Sequence, residues 1–202
     1  MDESPPRYEF RSFAQQFGRI EHELRERGSA PTIRESAEYY LVGRSSDANV
    51  KLRGGLLDIK ERIAVERELE QWQPTLKLPL PAAADELRKR VLPVLGVEAE
   101  PALPEEVDER GLCDALRALP RDVVVVELFK RRFGFEVDEV QAEVADVLVN
   151  GAAIRSVCIE GIDPDQVLHL AESVGLLAYG NINYVAALKR ITGLAATPSF
   201  RA

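Results

Sequence analysis

Charged residues recur two apart along segments that read as β-strands, and this pattern constrains the fold more than any other in the chain. Lys51 and Arg53 form one pair, and Lys130 and Arg132 form another. Glu9 and Arg11, Asp58 and Lys60, and Glu68 and Glu70 repeat the spacing. Successive side chains of a strand point to opposite faces, so each pair shares a face. A sheet with one solvated face gives the same pattern. However, Val50 and Leu52, the neighbours of Lys51 and Arg53, supply only one modestly apolar face. Strands that line a charged barrel interior need this arrangement. Same-sign pairs in both halves favour a site for a polyvalent anion.

The segments around these pairs predict an α+β fold. Residues 7–13 alternate charge with aromatic rings and read as a strand. Phe13, Phe17, Ile20 and Leu24 then follow helical spacing, with Gly28 as a stop. Residues 38–42, 49–53, 57–63 and 65–72 read as four short strands of an antiparallel meander. The expected breaks are 43–47, Gly54-Gly55 and the charged Glu61-Arg62 region. A helical stretch over 84–97 is interrupted by Pro93, residues 98–110 read as an acidic linker, and 112–119 as a short helix. A second strand group covers 123–133, 135–149 and 154–160, with Asn150-Gly151 as a hairpin turn. Asp163-Pro164 then opens a helix as N-cap and first residue, and Tyr184, Leu188 and Ile191 mark a last one. The tail beyond Leu194 reads as loose. Two antiparallel half-sheets in a chain of this length can close into a barrel. The expected organisation is one domain over 1–202. Its strand-rich halves, 7–80 and 120–162, are joined by the helical and linker segment, with C-terminal helices over 163–193.

Composition limits the partners. The chain has 26 Lys+Arg against 34 Asp+Glu, a net charge of −8. That argues against an extended nucleic acid, which needs a basic surface. It leaves room for a small anion at a local basic site. Cys113 and Cys158 lie far apart, so a disulfide framework is not expected. Val123 to Val126 is far too short for a membrane span, and the acidic opening Met1-Asp2-Glu3-Ser4 is unlike a signal peptide. A cytoplasmic protein is the expectation.

A triphosphate fits the basic pairs. Lys and Arg from several strands can surround it, Arg with two-pronged bonds to phosphate oxygens. Neighbouring carboxylates could hold Mg²⁺ or Mn²⁺, which prefer hard oxygen ligands and bridge to phosphates. His22, His169, Trp72 and the tyrosines read as exposed or packing residues. Gly54-Gly55 reads as a turn, since no phosphate-loop pattern is present.

In order, the charged strands are Arg7-x-Glu9-x-Arg11, Glu38-Tyr39-Tyr40-Leu41, Lys51-Leu52-Arg53, Leu57-Asp58-Ile59-Lys60, Glu68-Leu69-Glu70, Lys130-Arg131-Arg132 and Val144-Ala145-Asp146-Val147. Gly151, Cys158-Ile159-Glu160-Gly161, Gly175-Leu176-Leu177 and Tyr184 follow. This order resembles the CYTH superfamily, the triphosphate tunnel metalloenzymes, across almost the whole chain. The resemblance implies an eight-stranded antiparallel β-barrel around a tunnel, flanked by helices. It implies phosphate contacts from Arg11, Lys51, Arg53, Lys60, Lys130 and Arg132. It also implies metal-binding carboxylates at Glu9, Glu68, Glu70, Asp146 and Glu160.

Arg7 and Cys158 depart from the family, because acidic residues stand there in its opening and closing motifs. Arg7 adds a like charge beside any bound cation. The leading expectation is a metal-dependent phosphohydrolase acting on an inorganic or organic triphosphate. The alternatives are a non-catalytic binder of a phosphorylated ligand and a class IV adenylate cyclase-like activity. A homodimer is compatible with all three.

Overall fold

The computed structural model describes residues 5–119 and 122–194. The acidic opening at 1–4 and the tail at 195–202, both assigned above from composition, lie outside the described residues.

Eight strands close into a single antiparallel barrel. They are β1 (Arg7–Ala14), β2 (Thr32–Gly43), β3 (Asn49–Arg53), β4 (Leu56–Glu66), β5 (Leu69–Pro79), β8 (Val123–Val137), β9 (Val140–Val149) and β10 (Ala152–Gly161). Their order around the barrel is β1-β10-β9-β8-β2-β3-β4-β5, and β5 pairs back onto β1. A two-stranded ladder, β6 (Ala82–Ala83) with β7 (Glu106–Val107), lies in the connection between the halves. Both strand-rich halves thus contribute to one closed sheet, and closure removes its edges.

The helices are α1 (Arg19–Arg27), α2 (Ala84–Arg90), α3 (Leu92–Leu95), α4 (Glu109–Arg117), α5 (Pro164–Ser173) and α6 (Tyr184–Ile191). The split between α2 and α3 falls next to Pro93, as its missing N–H and ring require. Asp163 caps α5, its Oδ1 accepting a 2.8 Å hydrogen bond from the Asp165 N–H.

Most helices pack on the outside of the barrel, so the main apolar layers lie outside too. Leu41, Val50, Leu52, Leu57 and Ile59 point outward under Leu87, Leu95, Leu112 and Leu116 of α2 to α4. Phe10, Val144, Val157 and Ile159 point outward under Leu24 of α1 and Val167 and Leu170 of α5. Val50 and Leu52 are therefore fully buried, and the alternate residues Lys51 and Arg53 face the interior.

One end of the interior is filled by α6. Its Tyr184, Val185 and Leu188 pack against the inward side chains of Tyr40, Val42, Val126, Leu128 and Val147. The rest of the interior is polar.

Several boundaries differ from those expected. Phe13 belongs to β1 and not to the following helix, which begins only at Arg19. β2 starts at Thr32, well before residue 38. The hairpin between β4 and β5 turns at Arg67-Glu68, not at Glu61-Arg62, and Gly134 lies within β8 while the chain turns at Asp138-Glu139. Both turn residues have positive φ in each case: 49° and 70°, then 51° and 66°. Gly54-Gly55 and Asn150-Gly151 do the same. This is the backbone twist that two-residue hairpins need, and the unmarked turns achieve it without glycine. A β-bulge near Arg62 keeps β4 running through the charged region.

Removing buried volume from the α6 plug should cost far more than trimming its exposed face. Leu188 is 1% exposed and Ile191 is 50% exposed. We expect Leu188→Ala to lose about 2–5 kcal/mol and Ile191→Ala to stay within about 0.5 kcal/mol, read by urea denaturation.

Candidate functional site

The polar part of the barrel encloses a cavity of about 380 Å³. Eight basic side chains line it, against four carboxylates, Glu9, Asp58, Glu143 and Glu160. The basic residues are Arg7, Arg11, Lys51, Arg53, Lys60, Lys77, Lys130 and Arg132. All six cations named from the sequence therefore reach one space.

Glu38 organises the inner wall. It is 2% exposed, on the inward face of β2. Lys130 Nζ is 2.9 Å from its carboxylate, Arg132 3.6 Å and Arg53 3.7 Å, and the Ser36 hydroxyl donates to it at 2.8 Å. Burial would raise this carboxyl, but Lys130 and Lys51 override it and hold Glu38 down to about 2. Lys130 donates to the Tyr40 hydroxyl at 2.7 Å and sits 3.7 Å from the centre of the Tyr184 ring. Burial pushes the Lys130 ammonium down to about 7, with Glu38 opposing.

Arg11 is equally engaged. Its Nε lies 2.9 Å from Glu9 Oε1 and its Nη2 3.3 Å from Glu9 Oε2, while Nη1 is 3.6 Å from Glu143. Its guanidinium stacks 4.7 Å from the centre of the Tyr184 ring. Lys51 and Lys60 differ: among the described residues, neither makes a hydrogen bond or ion pair. Burial lowers the Lys51 ammonium; Glu38 opposes this, and the like charges of Arg53 and Lys60 add to the lowering. Crowded, unsatisfied cations are what an anion would relieve.

The acids fall into two groups. Glu9 and Glu160 face each other across the β1–β10 pairing, and Arg11 pairs with Cys158 one step along that face. Ligand atoms of Glu9, Cys158 and Glu160 lie within 4.8 Å of one another, which makes a possible metal cluster. Of the other three carboxylates expected near a metal, Asp146 and Glu68 lie elsewhere, while Glu70 sits opposite Glu9 on the same face but is engaged by other partners. Asp146 points outward and pairs with Arg155 at 2.9 Å. It sits on β9 opposite Arg131, whereas Ala145 is opposite the inward Arg132. Parity therefore sends Asp146 outside and Glu143 inside. Glu68 is exposed at the β4–β5 hairpin tip, where its carbonyl accepts from Asn181 Nδ2 at 2.6 Å. Glu70 pairs with Arg62 and accepts from Asn183 Nδ2 at 2.9 Å, so it anchors the start of α6.

The cluster does not fit Mg²⁺ or Mn²⁺. Both Glu9 oxygens are held by Arg11, and Glu160 is bonded by Arg7 Nη1 at 3.1 Å. Burial pushes the Cys158 thiol well above its usual value, so the third donor is a neutral, soft sulfur. Hard divalent ions select anionic or carbonyl oxygens.

Glu38, Glu143, Gln141 and Lys77 are site residues absent from the sequence-derived set. Arg7, which departs from the family's acidic motif, also lines the cavity. Strand parity carried from Lys130 and Arg132 across the β8–β9 hairpin would have found Glu143. That requires the turn at Asp138-Glu139 to be known.

No family model and no curated relative matches the sequence. Solved structures share its fold. A conserved hypothetical protein from Pyrococcus furiosus superposes with a TM-score of 0.52 at 15% identity, covering 89% of this chain and 98% of the other. A Hippeastrum protein, described as a candidate adenylyl cyclase with a dominant triphosphatase activity, gives 0.53 at 11% identity, covering 93% and 96%. The eight-stranded antiparallel barrel with flanking helices expected from the sequence is thus the fold of this chain, and these structures share it. Among the described residues no helix is long and apolar enough to cross a membrane.

The depressed Glu38 carboxyl gives a signed pH dependence. Its folded value lies near 2 against an ordinary 4.5, so its stabilisation is complete above about 4.5 and is lost as pH falls towards 2. Thermal melts across that window should show Tm falling more steeply in the wild type than in Glu38→Gln.

Proposed function

We propose that the barrel binds a small molecule carrying a triphosphate, with the chain acting as one unit around a single cavity. The observation that carries this reading is the surplus of cations in the cavity, including Lys51 and Lys60, which lack hydrogen-bond and ion-pair partners among the described residues. A triphosphate ester carries about four negative charges near neutral pH, because a terminal phosphate loses its second proton near pH 6. Lys51, Lys60, Arg53 and Arg132 would grip it. Lys130 and Arg11 would act behind them, since their donors are already engaged by Glu38, Tyr40, Glu9 and Glu143.

A second reading is hydrolysis of that triphosphate with Mg²⁺ or Mn²⁺. The activity described for the Hippeastrum protein favours it. The arginine partners of both carboxylates weigh against it. A cyclase activity would reveal itself as cyclic nucleotide formed from ATP.

Thermal-shift and calorimetric titration with tripolyphosphate, thiamine triphosphate and nucleoside triphosphates tests binding. A colorimetric phosphate-release assay with and without each metal tests hydrolysis. We expect saturable stabilisation by at least one triphosphate. Lys51→Ala and Lys60→Ala should each weaken it about 10- to 100-fold, the worth of one charged hydrogen bond. Affinity should fall as pH rises above about 7, because Lys130 loses its proton there while the ligand charge is already complete. No stabilisation by any triphosphate would refute the binding reading.

A further inference from the structure

The Glu9, Cys158 and Glu160 cluster is compact enough for one ion, yet the chain already supplies its positive charge. Arg7 reaches it from β1, two residues before Glu9 on the same face. Its Nη1 donates to Gln141 Oε1 at 2.7 Å and to Glu160 Oε1 at 3.1 Å. Its Nη2 and Nε make no hydrogen bond among the described residues. The side chain is 42% exposed and lines the cavity. Part of the guanidinium therefore neutralises the acidic cluster, and the rest can donate to a ligand. Arg11 neutralises Glu9 from deeper in the barrel, with its own donors fully engaged.

We propose that Arg7 is a built-in counter-cation, so that this protein takes a triphosphate in its metal-free form and Mg²⁺ competes with the protein for the ligand. The inference rests on the triphosphate-binding reading above. Its physical basis is charge balance. A Mg²⁺ ion on the triphosphate cancels charges that Lys51, Lys60 and Arg53 would otherwise pair with. It also brings a divalent cation beside Arg7 and Arg11, whose like charges repel it. To coordinate the cluster, the ion would have to share Glu160 with Arg7 and Glu9 with Arg11, whose donors already occupy one oxygen of Glu160 and both of Glu9. Cys158 cannot compensate, since it offers a soft sulfur where a hard divalent cation selects oxygen. Arg7 thus sets which form of the ligand is bound.

Calorimetric titration of the wild-type protein with tripolyphosphate, in EDTA and again in excess Mg²⁺, tests this. We expect affinity to drop about tenfold or more with Mg²⁺, as one charged contact or more is lost. Tighter binding with Mg²⁺ would overturn the proposal and leave the binding reading intact. No binding of tripolyphosphate under either condition would overturn the proposal, and the binding reading would fall with it only if the other triphosphates also fail to stabilise the protein. A ligand-free titration with Mn²⁺, followed by electron paramagnetic resonance, supplies a second readout. The wild type should show no saturable uptake, and Arg7→Glu should gain it. Saturable uptake by the wild type that is lost in Glu160→Gln would overturn the proposal. Arg7→Gln removes the charge without adding an acid. It should lose about tenfold in metal-free affinity, and an unchanged affinity would count against the role assigned to Arg7.

Discussion

Charge placed inside a β-barrel has to be balanced from within it, and the Glu38 carboxylate is where that balance is struck. It is almost wholly buried and has Lys130, Arg132 and Arg53 within ion-pair distance. A buried carboxylate is stable only if paired and hydrogen-bonded. The pairing also reaches the plug of the barrel. Lys130 bonds Tyr40 and sits over the Tyr184 ring, which opens α6. Removing Glu38 would therefore loosen three strands and the helix that fills one end.

The apolar pattern is inverted relative to a filled barrel, and the inversion makes the cavity possible. Val50, Leu52, Leu57 and Ile59 turn outward because α2 to α4 cover them. Phe10, Val157 and Ile159 do so beneath α1 and α5. The hydrophobic burial that stabilises the fold thus sits between barrel and helices. Inward positions are freed for ionic side chains, except where α6 enters.

Charge inside is sorted by how well it is satisfied. Arg11, Lys130 and Glu38 hold one another and their neighbours in place. Among the described residues Lys51 and Lys60 remain without such partners, in the cavity that the half-engaged Arg7 also lines. Paired groups held by their neighbours, with uncompensated cations in the same cavity, are what the proposed triphosphate would require, because preorganisation reduces the ordering cost of binding.

Period-two charge along the chain determined which side chains share a face, and with it the cations that now meet in the cavity. Helical spacing together with the proline, N-cap and glycine signals determined the α+β character, the Pro93 break, the Asp163 cap and the two glycine-bearing hairpins. Three things needed the tertiary structure. Which face points inward depends on what covers the other, and the helices doing so come from distant parts of the chain. Register depends on where the unmarked turns at Arg67-Glu68 and Asp138-Glu139 fall. A strand's side chains alternate, so an offset of one residue put Asp146 outside and Glu143 inside. The pairing of Arg7 with Glu160, 153 residues apart, arises only when β10 closes against β1. An arginine two residues before a glutamate reads in sequence as a departure from an acidic motif. Across the closed barrel it becomes the cation of the site.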